Sequence, residues 1–152
     1  MPEVFANTTP LQYLHRLRRL EGLGQFYGRV VVPVAVADEL EVGRQLAAHS
    51  WIEVRRPPIP MPVFPRFIHC GEAEVLALAQ AAGEALVIID DGLARAHARE
   101  LGLRVTGTLG VILRAKRERQ IAAVGPLLEQ LRTEGFRIAP ATLSEVLRLA
   151  DE

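Results

Sequence analysis

The sequence predicts an α/β fold in which a central, mainly parallel β-sheet is flanked by helices on both faces. The first observation is an uninterrupted apolar run, Ala85 to Ile89, which is typical of a strand buried on both sides. The second is the alternation of short apolar runs with segments of helical spacing. Because strands that alternate with helices favour parallel pairing, we expect right-handed crossovers and a site at the carboxyl ends of the strands.

The predicted strands are short, and turn or helix signals separate them. They cover Val4 to Ala6, Val30 to Val32, Trp51 to Val54, Ala85 to Ile89 and Arg104 to Thr106. The second apolar run ends at Pro33, which we expect to open the next helix. The segment from Trp51 to Val54 is predicted to be an edge strand.

Helices are predicted between and after these strands. They cover residues 10–20, 33–48, 71–82, 93–101, 109–119, 126–134 and 141–150. The leucine spacing of the first helix stops at Gly22 and Gly24. The proline-rich segment Pro57 to Pro65 suits neither helix nor strand, so it is read as a crossover linker, with a lid or a partner-binding loop as the less favoured alternative.

Composition limits the class of protein. With 152 residues, of which 49% are hydrophobic, the chain predicts one domain over residues 1–152. Basic and acidic residues balance at 18 each, which excludes a globally basic nucleic-acid binder. The single cysteine, Cys70, excludes an internal disulfide, and neither a secretory signal nor a membrane span is visible. We therefore expect a cytoplasmic protein.

Two adjacent aspartates, Asp90 and Asp91, directly follow the buried run. Carboxylates at a buried strand end must be paired, protonated or bound to a cation, because isolated buried charge is costly. An aspartate after a strand is also a common helix N-cap. We expect one of the two to cap a helix and the other to belong to a site.

Three glutamates on predicted helices are further candidates. Glu39 falls on the apolar side of its helix, where the alternative is a rim glutamate paired with an arginine. Glu72 and Glu74 lie about 200° apart on the next helix, so we expect only one of them to enter a given pocket. Acids in a first turn also complement the helix dipole, which is the favoured alternative for Glu74.

If Glu39, Glu72 and Asp90 gather around one strand-end pocket, they form a site made of oxygen ligands. Such a site suits Mg²⁺ or Mn²⁺. These ions orient a phosphodiester, activate water and stabilise the leaving oxygen. Without a metal ion the clustered acids would repel one another, and one of them would hold its proton.

Five segments in this order resemble the PIN-domain family, in particular its VapC-like branch of small prokaryotic toxin-type proteins. They are VFANTTPL (residues 4–11), VPVAVADEL (32–40), GEAEVLALA (71–79), LVIIDD (86–91) and VTGTLG (105–110). The resemblance implies a three-layer PIN-like fold and Mg²⁺- or Mn²⁺-dependent cleavage of RNA. It also implies frequent homodimers and, in toxin pairs, inhibition by a small antitoxin protein.

The resemblance also implies which residues form the site. Carried over by position, Glu39, Glu72 and Asp90 match the catalytic, metal-binding acids, with Glu74 the alternate to Glu72 and Asp91 beside Asp90. Asn7 stands where the family pattern has an aspartate before Thr-Ser/Thr-Pro. Its amide offers a metal an oxygen but no charge, which predicts weaker metal binding and weak or absent catalysis.

Three functional hypotheses follow. The first is a metal-dependent ribonuclease of PIN type, and the second is a catalytically inactive PIN-like module that binds RNA or a protein partner. The third, a phosphoryl-accepting signalling domain, is disfavoured because its acid pair normally follows the first strand. Arginine-rich helix ends at residues 16–19 and 114–119 suit phosphate contacts, although a solvated helix face is the more frequent explanation.

Overall fold

The computed structural model describes residues 2–39, 46 and 48–152. Five parallel strands form one sheet in the order β3-β2-β1-β4-β5. They are β1 (Glu3–Ala6), β2 (Val30–Pro33), β3 (Ile52–Arg55), β4 (Ala85–Ile88) and β5 (Arg104–Thr106). The predicted α/β class, the parallel sheet and the edge position of the third strand are confirmed.

Helices cover both faces of the sheet and complete three layers. The described residues form α1 (Thr8–Arg16), α2 (Glu21–Tyr27), α3 (Val34–Glu39), α4 (Cys70–Ala82), α5 (Gly92–Glu100), α6 (Thr108–Arg117), α7 (Gly125–Thr133) and α8 (Pro140–Leu149). Helix α4 packs against β1, β2 and β4, while α1 packs against α6. Within the described ranges, no helix is both long enough and apolar enough to cross a bilayer.

The first helical region differs from the prediction. Helix α1 ends at Arg16, and Gly22 and Gly24 lie inside α2 rather than stopping a helix. A methyl group on Gly24 would lie 2.5 Å from the indole ring of Trp51. The glycine is therefore in the helix because Trp51 packs against its backbone, a tertiary contact that local sequence reasoning missed.

The region around the second strand also differs in detail. Pro33 is the last residue of β2, and α3 begins at Val34. Proline serves here as the end of a strand because its fixed φ is compatible with extended backbone. The predicted helix from Pro33 to Ala48 is confirmed over Val34–Glu39, whereas residues 40–45 and 47 lie outside the described residues.

The strand order decides where a site can form. From β1 the chain adds β2 and then β3 on one side, and later returns to add β4 and β5 on the other side. The order therefore reverses beside β1, and the crevice at the carboxyl ends of β1 and β4 is where open α/β sheets bind ligands. Asn7 follows β1 and Asp90 follows β4 at this edge.

Candidate active site

Asn7 lies at the centre of this edge and is only 6% exposed. Its backbone N–H donates to the carbonyl of Ile88, at 3.1 Å, and so ties the ends of β1 and β4 together. Asn7 occupies the N-cap position of α1, yet its side chain makes no capping hydrogen bond. The Asn7 amide is therefore available to the crevice instead of serving the helix.

Gly71 leaves a small space beside the Asn7 side chain. A methyl group on Gly71 would lie 3.4 Å from Oδ1 of Asn7 and 3.4 Å from Oε2 of Glu39. Two oxygens from different segments of the chain thus lie next to the first turn of α4, at a position that has no side chain. Gly71 was not predicted as a site residue from the sequence, although it directly precedes Glu72.

Glu39 is an exposed side chain held in place by a neighbour of Asn7. The hydroxyl of Thr8 donates to Oε2 of Glu39, at 2.7 Å. Thr8 therefore couples the residue after β1 to the helix that follows β2. Thr8 was not predicted as a site residue from the sequence, although it directly follows Asn7.

Glu72 is the buried acid of the group, with 7% of its surface exposed. Its Oε2 accepts from the backbone N–H of His69, at 3.2 Å. Burial raises the pKa of Glu72, the His69 N–H lowers it, and the negative charges of Asp91 and Glu39 raise it further, with a net shift upward. The negative charges of Asp91 and Glu39 thus act on the buried Glu72.

Glu74 binds a different part of the structure from Glu72. Its Oε2 accepts from the backbone N–H of Ala35, at 3.2 Å, in the first turn of α3. The carboxylate thus satisfies a free donor at the start of that helix and complements its dipole. Of the two alternates on α4, Glu72 is the one whose charge is coupled to the other acids.

Both aspartates after β4 cap a helix, but their surroundings differ. Oδ2 of Asp91 accepts from the N–H of Ala94, at 2.9 Å, at the start of α5. Asp90 accepts at Oδ1 from the N–H of Thr108, at 2.7 Å, and at Oδ2 from its hydroxyl, at 2.6 Å. The charge of Asp91 acts on Glu72, whereas Asp90 is turned to α6.

Asp90 is buried, and its pKa is raised overall although it has partners that favour its charged form. Burial raises its pKa above the ordinary value, and the Thr108 hydroxyl, the Thr108 N–H and the charge of Arg95 counteract that increase. Arg95 also donates from Nη1 to the carbonyl of Ile89, at 2.9 Å. A methyl group on Gly107 would lie 2.6 Å from both Oδ1 of Asp90 and Nη1 of Arg95, so this corner is tightly filled.

A family model described as "DUF3368: PIN domain" matches residues 3–152. The chain belongs to the PIN-domain family. No curated protein and no solved structure matches it. PIN domains have a nuclease-like fold, bind nucleic acids and generally use divalent metal ions. The fold and the family that the motif order predicted are therefore confirmed.

The residues of this PIN domain fit a hard divalent cation by their chemistry. The amide of Asn7 and the carboxylates of Glu39, Glu72 and Asp91 are all oxygen donors, which Mg²⁺ and Mn²⁺ prefer. Each carboxylate uses one oxygen in the bond described above, and its second oxygen retains acceptor capacity. Over the described ranges, no three His, Cys, Asp or Glu side chains form a ready-made metal cluster. The carboxylates of Glu39, Glu72 and Asp91 therefore do not form a metal site by themselves.

Two basic side chains of the segment 114–119 make contacts with other parts of the domain. The guanidinium of Arg114 lies over the rings of Phe26 and Tyr27, with centroid distances of 5.0 and 4.8 Å. Nζ of Lys116 donates to the carbonyl of Ala122, at 2.8 Å. These two cations stabilise helix packing, which leaves Arg117 and Arg119 as the exposed cations of that segment.

Proposed function

We propose that this PIN domain is a metal-dependent ribonuclease whose site lies at the carboxyl ends of β1 and β4. Asn7, Glu39, Glu72 and Asp91 would hold Mg²⁺ or Mn²⁺. The observation that carries the proposal is that Oδ1 of Asn7 and Oε2 of Glu39 both lie 3.4 Å from the place of a methyl group on Gly71, next in the chain to the buried Glu72. Burial and the charges of Asp91 and Glu39 also raise the pKa of Glu72. A divalent cation would relieve this repulsion and offset the cost of burying the charge.

The bound ion would supply the activation of water and the stabilisation of the leaving oxygen. The residues of this chain supply orientation. Thr8 holds Glu39 through its hydroxyl, and the His69 N–H holds Glu72. Because each acid is fixed by a separate bond, the donor oxygens keep their positions while an RNA phosphate approaches, as efficient catalysis requires.

The proposal assigns different roles to the two adjacent aspartates. Asp91 would contribute charge to the metal site, since it acts electrostatically on Glu72. Asp90 would be a positioning residue, because its two oxygens are bonded to Thr108. Asp90 thereby fixes the loop between β4 and α5, from which Asp91 projects.

We also propose a biological role for this nuclease. The order of the five motifs supports a VapC-like, toxin-type ribonuclease of the cytoplasm. In that role the protein would act as a homodimer and would be inhibited by a small antitoxin protein. A short reading frame next to the gene whose product copurifies with the protein and stops RNA cleavage would support it. Failure of such a product to bind would argue against the toxin role without affecting the nuclease proposal.

The nuclease proposal is tested by RNA cleavage with Mn²⁺ and with excess EDTA. We expect cleavage by the wild-type protein that requires Mn²⁺ and that Asp91→Asn abolishes. Asparagine is itself a good N-cap, so the variant should fold normally. Glu145→Gln, which removes one carboxylate from the exposed pair with Arg148 on α8, is the matched control and should cleave normally. Full activity of Asp91→Asn would contradict the proposal.

The presence of Asn7 favours a second candidate function, a PIN module that binds RNA without cleaving it. An amide at this central position removes one negative charge from the donor set. This candidate predicts RNA binding with no cleavage by the purified wild-type protein at any Mn²⁺ concentration. Mn²⁺-dependent turnover that is lost in Asp91→Asn would exclude it.

A further inference from the structure

Two large apolar side chains are exposed at positions that lie near site residues in the sequence. Phe67 is 45% exposed and Leu93 is 59% exposed. Phe67 lies two residues before His69, whose N–H holds Glu72, and Leu93 lies two residues after Asp91. Both residues therefore lie two positions along the chain from a residue that belongs to, or holds, the proposed site.

His97 joins these two side chains into one patch. Its ring meets the ring of Phe67 edge-on, with a centroid distance of 6.5 Å and an interplanar angle of 89°. It meets Phe64 in the same way, at 6.0 Å and 80°. Leu93 and His97 are four residues apart on α5 and so share a face of that helix. The Phe67 ring is thus held in place by its neighbour and still open to solvent.

Positive charge accompanies the patch. Arg66 directly precedes Phe67 and is exposed. A ligand that matches these features has a flat apolar part for Phe67 and a negative charge for Arg66. A nucleotide of single-stranded RNA combines both, because every unpaired base has a stacking face and a neighbouring phosphate.

We propose that the patch formed by Phe67, Leu93 and His97 is a base-binding subsite, at which one unpaired RNA base stacks on Phe67 next to the scissile phosphate. The inference rests on the proposed function for its choice of ligand. Arg66 would contact a flanking phosphate. A protein partner is the less favoured occupant, because the patch combines one open ring, an arginine and a neighbouring acid site, which suits a base with its phosphates.

The test measures binding separately from cleavage. The probe is a single-stranded RNA octamer with one 2-aminopurine, titrated in Ca²⁺ buffer, with RNA integrity checked on a gel. We expect the fluorescence of 2-aminopurine to be quenched on binding to the wild-type protein. Phe67→Ala should lose the quenching and bind about 5- to 150-fold more weakly, the range expected for loss of one base stack.

Conservative variants separate stacking from general apolar contact. Phe67→Tyr should retain both quenching and affinity, whereas Phe67→Leu, which keeps apolar bulk without a ring, should lose the quenching. Ile59→Ala is the matched control, since Ile59 is 96% exposed in the proline-rich segment and no part of the patch. It should bind RNA as the wild-type protein does.

The outcomes distinguish this inference from the nuclease proposal. If the wild-type protein binds and quenches the probe but never cleaves RNA, the nuclease proposal fails and the base-binding subsite stands. If Phe67→Ala binds with wild-type affinity, or the wild-type protein does not bind the octamer, the subsite is refuted. It is also refuted if Phe67→Ala leaves RNA binding intact and instead changes the sedimentation of the protein, since the patch would then be a protein contact.

Discussion

Asp90 is bonded to Thr108 through both of its carboxylate oxygens, one to the backbone N–H and one to the hydroxyl, at 2.7 and 2.6 Å. Thr108 is fully buried at the first position of α6, eighteen residues further along the chain. The pair joins the loop after β4 to the helix after β5. It therefore fixes the carboxyl end of β4, next to the proposed site.

Removing the Thr108 hydroxyl should destabilise the fold. Thr108→Val keeps the shape of the side chain but leaves one oxygen of the buried Asp90 without its partner. We expect the free energy of unfolding to fall by about 2 kcal/mol, as for loss of a hydrogen bond to a charged group. Urea denaturation would measure the change, and Thr108→Ser, which keeps the hydroxyl, should retain most of the stability. Equal stability of both variants would mean that the Oδ2 bond is unimportant.

Replacing Asn7 with aspartate should strengthen metal binding and lower stability without metal. The new carboxylate would be buried beside Glu39 and would repel it, so the Tm in EDTA should fall. Mn²⁺ should then raise the Tm by more than it does in the wild-type protein, since a ligand stabilises the state to which it binds. RNA cleavage should increase as well. A Tm of Asn7→Asp that does not respond to Mn²⁺ would place the ion elsewhere.

Filling the space beside Gly71 tests the proposed metal site without changing any charge. A methyl group would sit 3.4 Å from the oxygens of Asn7 and Glu39, which is an ordinary contact distance. Gly71→Ala should therefore fold normally but displace the ion, and cleavage should fall about 100-fold, as for a misplacement of about 1 Å. Gly92→Ala is the matched control because nothing lies within 4 Å of a methyl group there. Its cleavage rate should match that of the wild-type protein.

Glu72 should make stability depend on pH in a direction opposite to that of a salt-bridged acid. Its folded-state pKa is raised, first by burial. The folded state therefore binds the proton more tightly, and stability falls as pH rises from the ordinary carboxyl pKa through the folded value. Glu72→Gln removes this loss, so in EDTA its Tm should exceed that of the wild-type protein near neutral pH and approach it in acid.

Glu72→Gln should also lose the rise in Tm that Mn²⁺ causes in the wild-type protein. Glu74→Gln on the same helix is the control, since Glu74 serves the start of α3. Its Tm should still rise with Mn²⁺. A Glu72→Gln protein that is less stable in EDTA at neutral pH would show that the carboxylate is not strained by its surroundings.

The sequence was sufficient to predict features that depend on local pattern and strand order. The buried run before Asp90 is a central strand, and the motifs after β1, β2 and β4 reach one edge because parallel strands end there. Contacts between distant residues were not predictable. The ring of Trp51 occupies the space that a side chain at position 24 would need, so α2 has a glycine there. Thr108 likewise binds the carboxylate of Asp90 and directs it to α6. Both partners are distant in sequence from the residues that they affect.

Side-chain direction was the other limit. Helical periodicity separates Glu72 from Glu74 but does not say which one meets Glu39, since that depends on how α4 crosses the strand ends. Likewise, two adjacent aspartates point to different sides of the chain, and the sequence did not indicate which. In the structure the bonds of Asp90 to Thr108 and of Asp91 to Ala94 distinguish them.

The proposed donors all precede residue 92, and none of them lies on the last three helices, of which α6 contacts Asp90 and packs against α1. About the first 60% of the chain thus contains all the proposed metal ligands. The remainder supports the fold, and residues on its outer surface have no contact with the ion to maintain. Relatives should therefore tolerate wide variation at the exposed positions after residue 110, provided that the buried core there is kept and that a hydroxyl-bearing residue at position 108 still bonds the carboxylate at position 90. A new recognition surface has room to evolve there at little risk to catalysis.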